Sequence, residues 1–202
     1  MEAYARFLWD AQIVQLRLIP PWFKWVSGIE SPVYVDHRRL LAYPEQRKWA
    51  IEELTRRLTL NPLSFQAVVG VATGGIPWAA WLGERLHLPV GYVRPHPKGH
   101  GLSRQVEGLT QPTSVLVVED LISTGESMQR ATEALRAEGF CVSAGAALWS
   151  YDLISSSPFT QPVYILLTFP QALLYWERLG ILDRATVEFL KRWHRTQQLS
   201  PP

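Results

Sequence analysis

Cysteine is almost absent from this sequence of 202 residues, which contains only Cys141. A single cysteine cannot form an internal disulfide, which fits a reducing compartment, so we expect the chain to work in the cytoplasm. Because Cys141 stands in the apolar, strand-like run GFCVSAGAALW, we also expect its thiol to be buried and unreactive.

Long hydrophobic runs are also missing. No apolar run approaches the roughly 20 residues that a membrane helix needs, so no membrane partner is expected. The N-terminal stretch is interrupted by Glu2, Arg6 and Asp10, and we therefore expect no signal peptide.

Charge of one sign is not concentrated anywhere in the chain. The net charge is +2, and Lys and Arg are spread out, so no nucleic acid partner is expected. The signatures G-x-x-x-x-G-K-[ST] and G-x-G-x-x-G after a strand are absent, which argues against a kinase or a dehydrogenase.

What the sequence does contain is an alternation of apolar strands and helices. The pattern predicts strands over 67–72, 89–94, 114–119, 140–149 and 162–169. It predicts helices over about 1–18, 44–60, 78–87 and 126–139, with two more in the tail. Near-continuously apolar strands between helices are typical of a parallel sheet covered on both faces, so we predict an α/β fold in one domain, 1–202.

The stretch VLVVEDLISTGES, residues 115–127, is the most informative. A predicted strand ends in two adjacent carboxylates, Glu119 and Asp120, and a hydroxyl-rich turn with Gly125 leads into a helix. The free N–H groups of a helix start bind phosphate, and carboxylates suit ribose hydroxyls or Mg²⁺. The alternative is that Ser123 and Glu126 form a capping box, which needs no ligand but leaves the acid pair unexplained.

EDLISTGES resembles the phosphoribosyl pyrophosphate (PRPP) signature of the type I phosphoribosyltransferases. The resemblance implies that the acid pair holds the ribose hydroxyls and that the following turn wraps the 5-phosphate. The glycine turn after the strand 67–72 is similar to the family's pyrophosphate loop. The PRPP-binding residues that the resemblance implies are Glu119, Asp120, Leu121, Ile122, Ser123, Thr124, Gly125, Glu126, Ser127, Thr73, Gly74 and Gly75.

The polar loop after residue 94 resembles the catalytic loop R-x-x-x-K-x-H-G of the orotate phosphoribosyltransferases. Arg94, Lys98, His100 and Gly101 match it, while Pro95 stands where many members carry a lysine. The resemblance implies a mobile lid over about 95–113, with Lys98 acting on the leaving pyrophosphate. His100 is implied as a donor or proton carrier, and Arg94 as a further cation.

The stretch SGIESPVYVDHR is similar to the region of the same family that covers the base, with Val26 where some members carry a lysine. Residues 1–40 and the C-terminal part would then form a small hood. Many members bind the base carboxylate through an arginine from the strand after the PRPP helix, and Tyr151 stands at about that position. The expected orotate contacts are Ser123 and Tyr151.

The resemblance implies transfer of phosphoribose from PRPP to orotate in pyrimidine synthesis. Mg²⁺ would be held mainly through PRPP, with possible contributions from Glu119 and Asp120, in a homodimer with shared active sites. Two alternatives remain open: a phosphoribosyltransferase for another base, which Tyr151 keeps open, and a PRPP-binding regulator without catalysis.

Overall fold

The computed structural model describes residues 1–60, 64–96, 104–153 and 159–199. The α-helices of this part are α1 (Glu2–Asp10), α2 (Pro44–Leu60), α3 (Gly75–Leu86), α4 (Glu126–Ala137), α5 (Phe169–Arg178) and α6 (Arg184–Leu199). The strands are β1 (Val14–Leu16), β2 (Phe23–Lys24), β3 (Glu30–Ser31), β4 (Val33–Val35), β5 (Ala67–Val71), β6 (Val90–Val93), β7 (Val106–Glu107), β8 (Ser114–Ile122), β9 (Cys141–Ser150) and β10 (Val163–Thr168). A 3₁₀ helix follows β4 at His37–Ala42.

Six strands form one sheet in the order β10-β9-β8-β5-β6-β7. All neighbours are parallel except β6 and β7. The predicted α/β class with a mostly parallel sheet is therefore confirmed. None of the helices in the described part of the chain has the length and apolar composition needed to span a membrane.

The sheet separates two apolar clusters because successive side chains of a strand point to opposite faces. Val68 packs on one side with Leu116 of β8, while Val69 packs on the other side with Val117. All five residues of β5 are buried, as expected for a strand covered on both faces. The apolar runs seen in the sequence are thus the central strands of the sheet.

The predicted helix over 1–18 was wrong in its second half. Helix α1 ends at Asp10, Gln12 has a positive φ of 53°, and residues 14–16 form a strand that pairs with β4. The apolar residues Val14, Leu16 and Leu18 have the spacing of a strand. Pairing with β4, which is distant in sequence, supplies the backbone partners that the helix would have supplied.

The other predicted elements lie close to their expected positions, with three differences near the site. Strand β8 continues through the acid pair to Ile122, and α3 already begins at Gly75. The short strand β7 lies inside the loop expected at 95–113 and pairs with β6.

The expectation of a buried Cys141 was wrong. This residue is the first of β9 and its side chain is exposed. Strand β9 is an inner strand of the sheet, but its first residue lies at the end of the strand, where solvent reaches the side chain.

Candidate active site

The site lies beyond the carboxyl ends of β5 and β8, which are neighbours in the sheet. The turn after β5 packs directly on the acid pair: a Cβ added at Gly74 would fall on the carboxylate of Asp120, and one at Gly75 on the carbonyl oxygen of Val118. Only glycine fits this close approach. The peptide bond between Ala72 and Thr73 is cis.

Glu119 and Asp120 differ in burial although they are adjacent: Glu119 is buried and Asp120 is half-buried. Glu119 is buried, and burial raises its pKa well above the usual value, with a further increase from the charge of Asp120. Ser127 donates a hydrogen bond to Glu119, and the backbone N–H of Asp120 donates to Glu119 Oε1 over 3.2 Å. Burial also raises the pKa of Asp120, while hydrogen bonds from Glu119 and the Leu121 N–H oppose that increase.

The turn between β8 and α4 has the backbone of an anion site and lacks the capping box. Gly125, with φ 78°, occupies the N-cap position of α4, and no side chain caps the helix. Glu126 pairs instead with Arg130 over 3.1 Å at the surface. The first N–H groups of α4 therefore have no side-chain cap, as a phosphate site requires.

A cavity of about 460 Å³ joins the stretches that the sequence singled out. The predicted residues that line it are Thr73, Gly74, Glu119, Asp120, Leu121, Ser123, Ser127 and Tyr151. Among the described residues, Gly75, Ile122, Thr124, Gly125 and Glu126 are predicted site residues that do not line it. They lie in or directly beside the two turns that follow β5 and β8.

The opposite wall consists of residues 24–27 and 34–38, from the segment predicted to cover the base. Tyr151 is buried against Trp25, with ring centroids 4.1 Å apart, and its hydroxyl oxygen accepts the N–H of Val35. Burial raises the pKa of Tyr151 well above the usual value, so the phenol is neutral. Tyr151 therefore forms part of the wall and carries no charge.

The site residues expected from the sequence did not include Asp36, His37 and Arg38 of this wall. Arg38 donates through Nε to Asp36 Oδ1 over 2.7 Å. His37 is buried, which lowers its pKa to about 3 even though Asp36 opposes the shift. The signal in the sequence was the polar exit of a short strand, Asp36-His37-Arg38, which lies far along the chain from the acid pair.

A family model described as phosphoribosyl transferase domain matches residues 42–162. The orotate phosphoribosyltransferase of Halalkalibacterium halodurans is 37% identical over 95% of this chain and 93% of its own length. The chain belongs to the orotate phosphoribosyltransferase family. The enzyme of that name from Coxiella burnetii is 45% identical over 74% of this chain and 71% of its own. The crystal structure of orotate phosphoribosyltransferase from Aeropyrum pernix superposes with a TM-score of 0.73 at 34% identity, covering 89% and 99% of the two chains.

Of the three residues that the family's catalytic loop implied, only Arg94 lies within the described residues; Lys98 and His100 lie outside them. Arg94 directly follows β6, and its Nη1 is 3.8 Å from Glu107 Oε1. It lines a second cavity of about 190 Å³ that shares Ala72 and Ser127 with the first. The loop thus starts beside the site.

The carboxylates of this family member suit a cation that arrives with a ligand. Across the ranges that the structure describes, no group of three or more His, Cys, Asp and Glu side chains could hold a metal ion. Glu119 and Asp120 provide two oxygen donors at the cavity, and Mg²⁺ is commonly bound through one or two carboxylates together with substrate phosphates. The donor set therefore fits Mg²⁺ carried by a polyphosphate.

Proposed function

We propose that the chain transfers the 5-phosphoribosyl group from PRPP to orotate, giving orotidine 5′-monophosphate and pyrophosphate in pyrimidine synthesis. The observation that carries this proposal is one cavity that joins an acid pair, a glycine turn packed on it and an uncapped helix start. Relatives named orotate phosphoribosyltransferase, at 37% and 45% identity, support the choice of base.

Each part of PRPP would meet a matching group. The N–H groups at the start of α4 and the hydroxyls of Ser123 and Thr124 would bind the 5-phosphate. Asp120 would accept hydrogen bonds from the ribose hydroxyls, and Glu119, which is buried, lines the cavity next to it. Thr73 and the two glycines after it would let the backbone approach the pyrophosphate closely.

The reaction breaks the bond between C1 of the ribose and a pyrophosphate oxygen, and the electron pair leaves with the pyrophosphate. The ring nitrogen of orotate next to its carboxylate forms the new bond to C1 and loses its proton. Positive charge builds on the sugar and negative charge on the leaving group, so electrostatic stabilisation of both is the main task of the protein.

We assign the leaving group to Lys98 and His100 of the lid and to Arg94, which directly precedes the lid. Lys98 would neutralise the pyrophosphate and His100 would donate a hydrogen bond or carry a proton. Closure of the lid would exclude water, which otherwise captures the sugar cation. Since β7 is paired to the sheet, the part we assign to the lid is 95–105.

Mg²⁺ is the cofactor we propose, held by the pyrophosphate of PRPP with Glu119 and Asp120 as the protein donors. When bound, it would neutralise charge on the leaving group. Asp120 suits this role better than Glu119, because Glu119 is buried and its raised pKa favours the protonated form.

We further propose one domain over 1–202, in which residues 1–40 and the C-terminal part form a hood. Trp193 of α6 supports this assignment, because its Nε1 donates to the carbonyl oxygen of Glu30 over 3.2 Å. We also propose a cytoplasmic location, consistent with the exposed thiol of Cys141.

A homodimer with shared sites is the assembly we propose. Mixing a Lys98→Ala subunit with an Asp120→Asn subunit should restore part of the activity, because one site of the heterodimer would receive both intact groups. Verified heterodimers that stay inactive would contradict shared sites.

The second candidate is transfer to another base, which the neutral Tyr151 favours because it offers no cation to a carboxylate. A panel of orotate, uracil and purine bases, each with PRPP and Mg²⁺, separates the two. A protein that binds PRPP but turns over none of these bases would instead be a regulator.

The first experiment is to follow loss of orotate absorbance and release of pyrophosphate together. We expect turnover that requires PRPP, Mg²⁺ and orotate and that is lost in Lys98→Ala. A matched control is Lys48→Ala, since Lys48 of α2 lies outside the cavity. Turnover that persists without PRPP, or that survives Lys98→Ala unchanged, would contradict the proposed mechanism.

A further inference from the structure

The carboxylate of the base needs a cation in the cavity, and this inference rests on the proposed function. Orotate carries its carboxylate next to the ring nitrogen that joins the sugar, so the cation must lie near the ribose site. Tyr151 is buried and neutral, with its hydroxyl oxygen bonded to the Val35 N–H. His37 is neutral as well, because burial lowers its pKa to about 3.

Among the described residues that line the cavity, the permanent positive charges are those of Lys24 and Arg38. Lys24 is an exposed point charge on a flexible stem at the end of the two-residue strand β2. Arg38 has a planar guanidinium, which can bind both oxygens of a carboxylate at once. Of the two side chains, Arg38 is therefore the better partner for the carboxylate of the base.

The guanidinium of Arg38 is held in place before any ligand binds. Its Nε donates to Asp36 Oδ1 over 2.7 Å, and its Nη2 donates to the Tyr34 hydroxyl over 3.4 Å. Tyr34 in turn packs against Phe23, with ring centroids 5.5 Å apart. Within the described ranges, Nη1 of Arg38 has no hydrogen-bond partner, so the edge formed by Nη1 and Nη2 is available to a ligand carboxylate.

The position of Arg38 relative to the acid pair also fits. The hydrogen bond and charge of Asp36 raise the pKa of Arg38 most, and the charge of Asp120 raises it further. Arg38 and Asp120, which we assign to the ribose hydroxyls, line the same cavity. A carboxylate next to the nitrogen attached to the sugar would be bound in that cavity as well.

We propose that Arg38 is the residue that selects a carboxylated pyrimidine, by pairing its free guanidinium edge with the carboxylate of orotate. It replaces the arginine that many members carry near position 151. Asp36 and Tyr34 position the guanidinium for that contact.

Product binding tests this proposal independently of turnover. Orotidine 5′-monophosphate and uridine 5′-monophosphate differ only in the carboxylate, so their dissociation constants measured by calorimetry isolate its contribution. The wild-type protein should bind the carboxylated nucleotide more tightly. Since a hydrogen bond to a charged group contributes about 1.5–3 kcal/mol, Arg38→Ala should weaken that nucleotide roughly 10- to 100-fold and uridine 5′-monophosphate little. Arg38→Lys should lie between, because it keeps the charge and loses the fork.

Arg39→Ala is the matched control. Arg39 is the adjacent arginine, lies outside the cavity and donates to the carbonyl oxygen of Gln12 over 2.8 Å, so the selectivity should not change. Equal losses for both nucleotides in Arg38→Ala, or loss of selectivity in Lys24→Ala instead, would overturn the proposal. If wild type turns over orotate and a folded Arg38→Ala protein loses selectivity, both the proposed activity and the role of Arg38 are supported. If wild type binds the carboxylated product preferentially but does not turn over orotate, only the proposed activity is contradicted.

Discussion

His37 should make the stability of the protein depend on pH. Its imidazole is 1% exposed and neither ring nitrogen has a hydrogen-bond partner within the described residues. Burial lowers its pKa from 6.5 to about 3, partly opposed by Asp36. Between these two pH values the unfolded chain therefore binds a proton that the folded chain does not, and the folded state loses stability as the pH falls below 6.5.

The size of the effect follows from the linkage relation. At pH 7 the contribution is close to zero, and at pH 5 it amounts to about 2 kcal/mol, because each pH interval of one unit below the unfolded pKa costs about 1.4 kcal/mol. Glu119 acts in the opposite direction, because its raised pKa makes the folded state bind a proton more readily. A comparison of wild type with His37→Gln removes this background, since both proteins contain Glu119.

The assay is denaturant unfolding followed by tryptophan fluorescence at pH 5, 6 and 7, at one protein concentration. Between pH 7 and pH 5, wild type should lose about 2 kcal/mol more free energy of unfolding than His37→Gln. His96→Gln is the control, because His96 is exposed, and it should follow wild type. If wild type and His37→Gln differ by the same amount at every pH, His37 is not buried as a neutral group and the reasoning fails.

Three further predictions concern the site and its support. Gly75→Ala should lower the free energy of unfolding in denaturant titrations by about 1–3 kcal/mol, because the added Cβ would meet the carbonyl oxygen of Val118 and the backbone would have to move. An unchanged unfolding midpoint would contradict this packing. Asp120→Asn should weaken PRPP binding, measured by calorimetry, at least about 10-fold, as expected for a lost hydrogen bond to a charged group. Glu126→Gln should weaken PRPP binding less, because Glu126 is exposed and pairs with Arg130 outside the cavity. Equal losses of PRPP affinity in the two variants would refute this distinction. Trp176→Phe should cost about 1–3 kcal/mol of unfolding free energy, since the buried indole Nε1 donates to a backbone carbonyl of α1 over 2.8 Å, and a variant as stable as wild type would show that this bond contributes nothing.

Local patterns in the sequence were sufficient for most of the secondary structure. Helix α2 spans Pro44–Leu60, the range that the sequence predicted. The apolar runs became central strands, because a strand buried on both faces has to be apolar throughout. The two glycine turns also followed from the sequence, since a close backbone approach and a positive φ both require glycine, as Gly75 and Gly125 show.

Pairing between distant segments could not be predicted in this way. The stretch 14–16 pairs with β4, and the apolar residues from Phe7 to Leu18 did not reveal where the helix ends and this strand begins. The exposure of Cys141 depends on where the helices stop covering the sheet, which no local pattern reports.

The sequence by itself determined the α/β class, the central strands with the helices between them, and the residues of the two turns, because hydrophobic period and glycine placement are local properties. The tertiary structure alone decided that Arg38 lines the same cavity as the acid pair and that Tyr151 is a neutral part of the cavity wall. It also decided the pKa shifts of Glu119 and His37, because burial depends on contacts between segments that are far apart in the chain.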